Sequence, residues 1–243
     1  MGEKIIALKK DDNHQVISFA FLGMNKWYTA REITRIIARI IIEGLHRFIF
    51  HLFDTLFGFL NWPEKKIRLK IFILKDEKGD PVISSEELTA SIEYAERSFK
   101  KNFNIKLLPH KKNEPFVEVL QKHSPSEALR VKCNAGAYGE EFKKAGSFFS
   151  SNLAAPVYTI TGFVVIDIGG KQGCCIGPVT DYLTITPGGV NLTTVLAHEI
   201  GHSCGLWHVK TKENFMWSRS NRGDNVGWWQ KNLFRASRHV TYW

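Results

Sequence analysis

Apolar residues recur with a helical period through residues 31–62 of the 243-residue chain. The stripe consists of isoleucine, leucine and phenylalanine, namely Ile33, Ile36, Ile37, Ile40, Ile41, Leu45, Phe48, Ile49, Leu52, Phe53, Leu56, Phe57 and Leu60. This spacing predicts one long amphipathic helix over about residues 31–60. Arg31, Arg35, Arg39, Glu43, Arg47 and Asp54 interrupt the segment too often for a membrane span, because each charge is costly at the bilayer centre. Asn61-Trp62-Pro63 then ends the helix.

Three interpretations of this helix are compatible with its sequence. It is a helix packed on the domain that follows, an interfacial helix that makes membrane surface contact through residues 31–62, or a pro-segment or partner-binding helix. Phe50 and Phe59 widen the apolar surface of the helix, so an interfacial membrane helix stays one of the three interpretations. The composition change at Pro63 predicts two units: an N-terminal segment, residues 1–62, and a second domain, residues 63–243.

From residue 65 onward, strand-like and helix-like patterns alternate. Strands are predicted at Lys66–Lys75, Asn104–Leu108, Ala128–Lys132, Tyr158–Ile168 and Asp181–Thr186. Helices are predicted from Ser84 or Ser85 to about Lys101, within residues 136–149, over Leu192–Cys204 with Asn191 as its cap, and over Asn225–Arg238. The order predicts an α+β fold.

The overall charge narrows the classes of partner. The chain has 44% hydrophobic and 23% charged residues, as expected of a globular protein, and its formal net charge is +9. The basic residues are scattered, and no dense run of lysine and arginine interleaved with aromatic residues is present, so we expect no nucleic-acid partner. Attraction to acidic substrates or to anionic lipid is the expected consequence.

The four cysteines limit the metal chemistry, and the N-terminal residues bear on location. Cys133, Cys174, Cys175 and Cys204 include no C-x-x-C spacing, so a cysteine zinc site is not expected. Cys133 could pair with Cys174 or Cys175 in an oxidising compartment, or all could remain thiols. The apolar patch Val16–Met24 has no small-residue cleavage site after it, so no secretory signal is predicted. We therefore expect a cytoplasmic or peripherally membrane-associated protein.

Residues 198–208, His-Glu-Ile-Gly-His-Ser-Cys-Gly-Leu-Trp-His, carry the chemistry. His198 and His202 are four residues apart, so on a helix both imidazoles project from one face and can share a metal ion. Glu199 lies beside the first ligand, where a carboxylate can take a proton from a water molecule at the metal. Gly205 permits the left-handed turn that ends the helix, and His208 then supplies a third nitrogen. Three protein ligands leave one tetrahedral position open, as in catalytic zinc sites.

This stretch resembles the signature of the metzincin clan of zinc metallopeptidases, H-E-x-x-H-x-x-G-x-x-H followed by a methionine-containing turn. Asn214-Phe215-Met216-Trp217 is similar to that turn, and the resemblance implies that Met216 forms the apolar floor of the metal site. It further implies a matrixin-like catalytic domain. Such a domain has a twisted, mostly parallel sheet with a backing helix, an active-site helix, the methionine turn and a C-terminal helix. Residues 181–217 match motif by motif, and the order of elements matches over about residues 65–243.

The resemblance implies a zinc-dependent endopeptidase that acts on a protein or peptide substrate. Zn²⁺ is the expected cofactor, held by His198, His202 and His208, with Glu199 as general base and acid. In the family, an edge strand upstream of the active-site helix binds the substrate backbone, and Tyr158–Ile168 is the candidate, although an ordinary core strand explains it equally well. The alternative function is a non-catalytic module that keeps the zinc fold to bind peptide or membrane. The presence of Glu199 speaks against that alternative.

Overall fold

A mixed, mostly parallel sheet organises the protein. The structure, a computed structural model, describes residues 47–120, 126–133, 159–175 and 182–242, together with positions 37, 41, 44, 45 and 124. Its strands are β1 (Lys65–Ile73), β2 (Ile105–Pro109), β3 (Val117–Val119), β4 (Ile160–Val164), β5 (Gly173–Cys175), β6 (Tyr182–Ile185) and β7 (Val240–Thr241). The strand order is β2-β1-β4-β6-β5, and β3 and β7 also pair with β1. β5 pairs antiparallel with β6, and β7 pairs antiparallel with β1; the other pairs are parallel.

Helices pack on this sheet and alternate with its strands along the chain. They are α1 (Leu52–Phe57), α2 (Thr89–Phe103), α3 (Ser126–Leu129), α4 (Pro187–Asn191), α5 (Thr194–Ser203) and α6 (Trp228–Arg235), with short 3-10 turns at Gly58–Leu60 and Glu86–Leu88. α2 buries Ile92, Phe99 and Phe103 against the main core. Its residues three, four and seven apart share one face, so a single helix shields that side of the sheet. The predicted α+β architecture is confirmed.

β1 is buried on both faces, which explains its nearly continuous apolar sequence. Leu69, Ile71 and Ile73 enter the main core, whereas Phe72 joins a second cluster on the opposite face with Phe163. That second cluster also receives the Cys133–Cys174 disulfide, whose Cα atoms are 5.7 Å apart. The structure thus selects one of the pairings that the sequence left open; Cys175 is outside the disulfide with its Sγ 3.1 Å from the Ser203 hydroxyl, and Cys204 is fully buried.

Two of the predicted strands are wrong in type or position. Residues predicted as the strand Ala128–Lys132 form α3 and a single bridge from Arg130 to Asp167. The apolar side chains are buried as expected, but so short an apolar run does not distinguish a helix from a strand. The predicted strand Tyr158–Ile168 is shortened to β4, which lies between β1 and β6 and not at an edge. Strands β3, β5 and β7 were not predicted, and the helix predicted within residues 136–149 lies outside the described residues.

The predicted helix caps are also corrected. Asn191 does not cap α5, because residues 187–191 form α4, whose cap is the Thr186 hydroxyl accepting a bond from the Gly189 N–H at 3.2 Å. Neither Ser84 nor Ser85 caps α2, whose N-cap residue is Leu88. The Glu87 carboxylate instead accepts a hydrogen bond from the Ser84 N–H at 2.8 Å. The C-terminal helix is shorter than predicted, since it begins at Trp228 and ends at Arg235.

The N-terminal helical segment is attached to the domain by buried charges. Residues 47–50 are helical, the helix is interrupted at His51, and α1 follows. Asp54 on α1 is fully buried and accepts bonds from Lys65 of β1 at 2.9 Å and from Arg235 of α6 at 3.0 Å. The Tyr242 hydroxyl donates to the same carboxylate at 2.6 Å. Residues 52–60 therefore pack on the domain, as one of the three interpretations predicts.

Within the described part of the chain, no helix combines the length and the apolar character needed to cross a bilayer.

Candidate metal centre

Helix α5 carries the first two histidines and is almost entirely buried. Its apolar residues Val195, Leu196 and Ile200 enter the main core. Gly201 is necessary for this packing, because a Cβ atom there would lie 2.7 Å from the sulfur of Met216. The helix and the methionine turn can therefore approach each other only where α5 has no side chain, and this contact places His198 beside the turn.

The end of α5 redirects the chain toward the third histidine. The Leu206 N–H donates to the Gly201 carbonyl at 3.0 Å and the Gly205 N–H to the His202 carbonyl at 2.9 Å, a Schellman motif. Gly205 has φ +88°, which a side chain would strain. The turn also brings the Leu206 carbonyl to His202, whose Nδ1 lies 2.8 Å away. The stop at Gly205 thus reverses the chain and orients a histidine.

The three imidazoles converge through their Nε2 atoms. Nε2 of His208 lies 3.1 Å from Nε2 of His198 and 3.1 Å from Nε2 of His202. Nδ1 of His198 lies 3.2 Å from the Phe215 carbonyl, and Nδ1 of His202 faces the Leu206 carbonyl. A carbonyl only accepts, so both Nδ1 atoms carry their hydrogens and both Nε2 atoms present lone pairs.

This donor set fits a cation. A hydrogen on Nε2 of His208 can satisfy only one of the two facing lone pairs, so the neutral cluster leaves the other lone pair without a donor. A tetrahedral zinc with Zn–N bonds of 2.0–2.1 Å requires nitrogens about 3.3 Å apart, close to the observed separations. Burial lowers the pKa of His198, His202 and His208, the second to about 4, so the ligands are neutral as metal binding requires. Among the described residues these three form the cluster able to hold a metal ion.

Glu199 is buried beside the three imidazoles against the edge strand. Burial raises its pKa to about 8, although the Arg222 charge and the Cys175 backbone N–H both oppose that rise. Gly173 makes room for it, since a Cβ atom there would lie 2.8 Å from Oε1 and Cγ of Glu199. β5 therefore both donates a hydrogen bond to the carboxylate and confines it. The sequence analysis did not identify this support, because a backbone N–H in a short Gly-Cys-Cys strand has no residue signature.

The methionine turn is connected to α6 by a polar pair. Met216 is fully buried, and the Asn214 side chain accepts from its N–H at 2.8 Å. Asn214 also exchanges two hydrogen bonds with Gln230 of α6, at 2.8 and 3.0 Å. This pairing fixes the turn whose Phe215 carbonyl orients His198. The sequence analysis quoted Asn214 only as part of the motif and assigned it no role.

Two cations near the site were also missed. Arg222 donates to the backbone carbonyls of Trp217 at 3.2 Å and Thr194 at 3.3 Å, which joins the segment after the methionine turn to the start of α5. Its charge acts on Glu199, as does that of Lys171 in the loop before β5. Asp224, which follows the methionine turn, accepts hydrogen bonds from Asn102 at 2.9 Å and from Ser98, both on α2. Neither Arg222 nor Asp224 belongs to a short sequence motif, so these contacts were not predictable from the sequence.

Comparison with known proteins shows which family the sequence is similar to. The sequence model of the matrixin peptidases matches residues 69–226, which include the sheet, α5 and the methionine turn. Among solved structures, the crystal structure of metalloproteinase-II from Bacteroides fragilis is similar, with 15% sequence identity and a TM-score of 0.42. The match covers 68% of this chain and 54% of that chain, so the chain spans about half the length of that neighbour. No curated protein matches the sequence.

Proposed function

Because the chain belongs to the matrixin family of zinc metallopeptidases, we propose that it is an endopeptidase whose general base and acid is Glu199. The observation that carries the proposal is the convergence of three Nε2 atoms at one end of the helix that also carries the buried Glu199 carboxylate. The substrate is a protein or peptide, as a peptidase domain implies.

His198, His202 and His208 would hold the zinc ion, with Gly205 setting the turn between the second and third ligands. Bound zinc supplies Lewis-acid chemistry, which acidifies water and stabilises negative charge on a carbonyl oxygen. The Phe215 and Leu206 carbonyls hold two of the imidazoles with their lone pairs inward. Such outer partners fix the ring orientation and raise ligand basicity. Met216 would form the apolar floor on which His198 and Gly201 rest.

Glu199 would accept a proton from the attacking water and pass it to the leaving amine nitrogen. The Cys175 N–H and the Arg222 charge favour the carboxylate form that this base requires. A divalent cation at the imidazoles acts in the same direction, because a nearby positive charge favours the ionised acid. Burial supplies the opposite bias, which favours the protonated acid once the water proton has been transferred.

β5 replaces the sequence candidate as the strand that receives substrate. It lies at the end of the strand order, and within the described residues its outer edge has no strand partner. Its inner neighbour β6 already occupies the other edge. An extended peptide added to β5 would run past the Cys175 N–H and therefore past Glu199. We place the substrate backbone there.

The replacement Glu199→Gln tests the proposal. Glutamine keeps the shape of the side chain but cannot accept the proton, so peptide hydrolysis should fall by roughly 10²–10⁴-fold. Zinc content, measured by native mass spectrometry, should stay at the wild-type level. Glu93→Gln, an exposed position on α2, is the matched control and should retain full activity.

Two outcomes would contradict the assignment. Full hydrolysis by Glu199→Gln would remove this residue as the base. A zinc-loaded wild-type protein that cleaves no member of a diverse peptide library would instead favour the alternative, a non-catalytic zinc fold that binds peptide or membrane.

A further inference from the structure

Residues 47–62 turn their polar side chains toward the domain and their apolar side chains toward solvent, which is the reverse of the usual arrangement of a helix on a globular protein. The three ionisable residues of this segment turn toward the domain: Asp54 and His51 are buried, and the Arg47 guanidinium lies 3.4 Å from the Cys204 carbonyl at the end of α5. Its large apolar side chains turn to solvent instead. Phe48 is 66% exposed, Ile49 64% and Trp62 68%.

The exposed apolar face is broad and free of charge. It comprises Phe48, Ile49, Leu52, Phe53, Leu56, Phe57, Phe59, Leu60 and Trp62, and extends back to Leu45, Ile41 and Ile37. Within α1, at 100° per residue, Leu52, Phe53, Leu56 and Phe57 cover about 140° of arc. Within residues 47–62, the other exposed side chains are Phe50 and the uncharged Thr55. Exposed apolar surface of this extent marks an interaction site.

The segment cannot relieve this exposure by turning over. Lys65, Arg235 and Tyr242 all bond to the Asp54 carboxylate, and the Asn232 side chain accepts from the Phe59 N–H at 2.6 Å. A Cβ atom at Gly58 would lie 2.9 Å from the Asn232 backbone, so the segment lies directly against α6. Because the polar side is fixed to the domain, the apolar side must meet its partner outside it.

We propose that this face docks the protein on the surface of an anionic lipid bilayer. Two helices that pair in a coiled coil bury only a narrow apolar stripe, with two apolar positions in every seven residues. The apolar arc of this segment is much wider, as in helices that lie at the headgroup boundary of a membrane. Phenylalanine and tryptophan dominate the face, which suits that boundary. The chain carries a net charge of +9, so anionic headgroups attract it to the membrane surface.

Vesicle flotation of the full chain tests this proposal independently of peptidase activity. The protein should float with mixed phosphatidylcholine–phosphatidylglycerol vesicles, less with phosphatidylcholine alone, and less as salt is raised. Phe48→Ser with Ile49→Ser should lower the vesicle affinity at least about tenfold, because two exposed side chains lose their transfer into lipid. Phe48→Leu with Ile49→Leu keeps both positions apolar and should bind like the wild type.

A second pair, Leu56→Ser with Phe57→Ser, lies farther along the same face and should weaken flotation in the same way. Circular dichroism should show all three variants folded, since the replaced side chains are exposed. Unchanged flotation of both serine variants would overturn the proposal. So would sedimentation velocity showing a lipid-free dimer that the serine pairs convert to a monomer, because the face would then bind a second copy.

Discussion

At the scale of single residues, the orientation of the histidines depends on backbone carbonyls. Phe215 and Leu206 accept from Nδ1 of His198 and His202, and each carbonyl is placed by a turn. The ligands, Glu199 and the glycine of the turn were predictable because metal chemistry demands particular side chains at particular spacings. The carbonyls were not, since every residue has one and only the folded chain selects which of them face the site.

Gly173 gives a residue-scale prediction. Gly173→Ala places a methyl group 2.8 Å from Oε1 of Glu199 and from a methyl of Val195, so the carboxylate must move. We expect kcat to fall by about tenfold to a hundredfold, as small misplacements of a catalytic group do. Zinc content should be unchanged because no ligand moves. Gly44→Ala is the control, since a Cβ there meets nothing within 4 Å; equal activity of the two variants would refute the role of Gly173.

At the scale of elements, long periodic segments were predictable and short ones were not. β1, α2 and α5 carry strong patterns and match their predictions within a few residues. α3 and β5 are four and three residues long, which is too short for a repeated period to distinguish a helix from a strand. Asn191 was misassigned for a related reason: Thr186 and Pro187 begin a separate short helix before α5.

The buried Asp54 cluster gives a prediction about how elements are joined. Burial raises the pKa of Asp54, but hydrogen bonds from His51, Tyr242 and Lys65, with the Lys65 charge, outweigh it and hold the pKa well below its usual range. Asp54→Asn leaves Lys65 and Arg235 without their buried counter-charge and should lower the free energy of unfolding by about 3–5 kcal/mol. Chemical denaturation at neutral pH measures this, with the exposed Asp80→Asn as control.

The same cluster sets a pH dependence. The folded-state pKa of Asp54 lies below its unfolded value, so its stabilisation is present above the unfolded pKa and is lost as pH falls through the folded one. Between about pH 5 and about pH 3, the free energy of unfolding should therefore fall more steeply for wild type than for Asp54→Asn. Parallel slopes would contradict the assigned shift.

At the scale of the whole molecule, the disulfide connects distant parts of the chain. Cys133 and Cys174 are 41 residues apart, and closing such a loop stabilises the fold by up to about 4 kcal/mol through the unfolded state. Cys133→Ala should lower the thermal midpoint, and a reductant should lower that of the wild type but not that of the variant. Cys175→Ser, which removes a thiol that is not part of the disulfide, should keep the wild-type response to reductant.

The sequence could not assign the place of the N-terminal segment in the molecule. The apolar period left three interpretations of the helix open, and it did not indicate that the structure would bury Asp54 and expose Phe48 and Ile49. Periodicity identifies that a helix has two faces but not which one turns inward, because that depends on counter-charges supplied by Lys65 and Arg235. The division into residues 1–62 and 63–243 stays a prediction.

The measurement that tests the account most directly is peptide hydrolysis by the purified chain before chelation, after removal of metal, and after stoichiometric zinc is restored. The three imidazoles with Glu199 predict cleavage within the peptide, loss of cleavage on chelation, and recovery with zinc. His208→Ala should fail to recover at the zinc concentration that restores the wild type, because it lacks one ligand. Cleavage that persists in metal-free protein, or a zinc-restored wild type without any hydrolysis, would contradict the account.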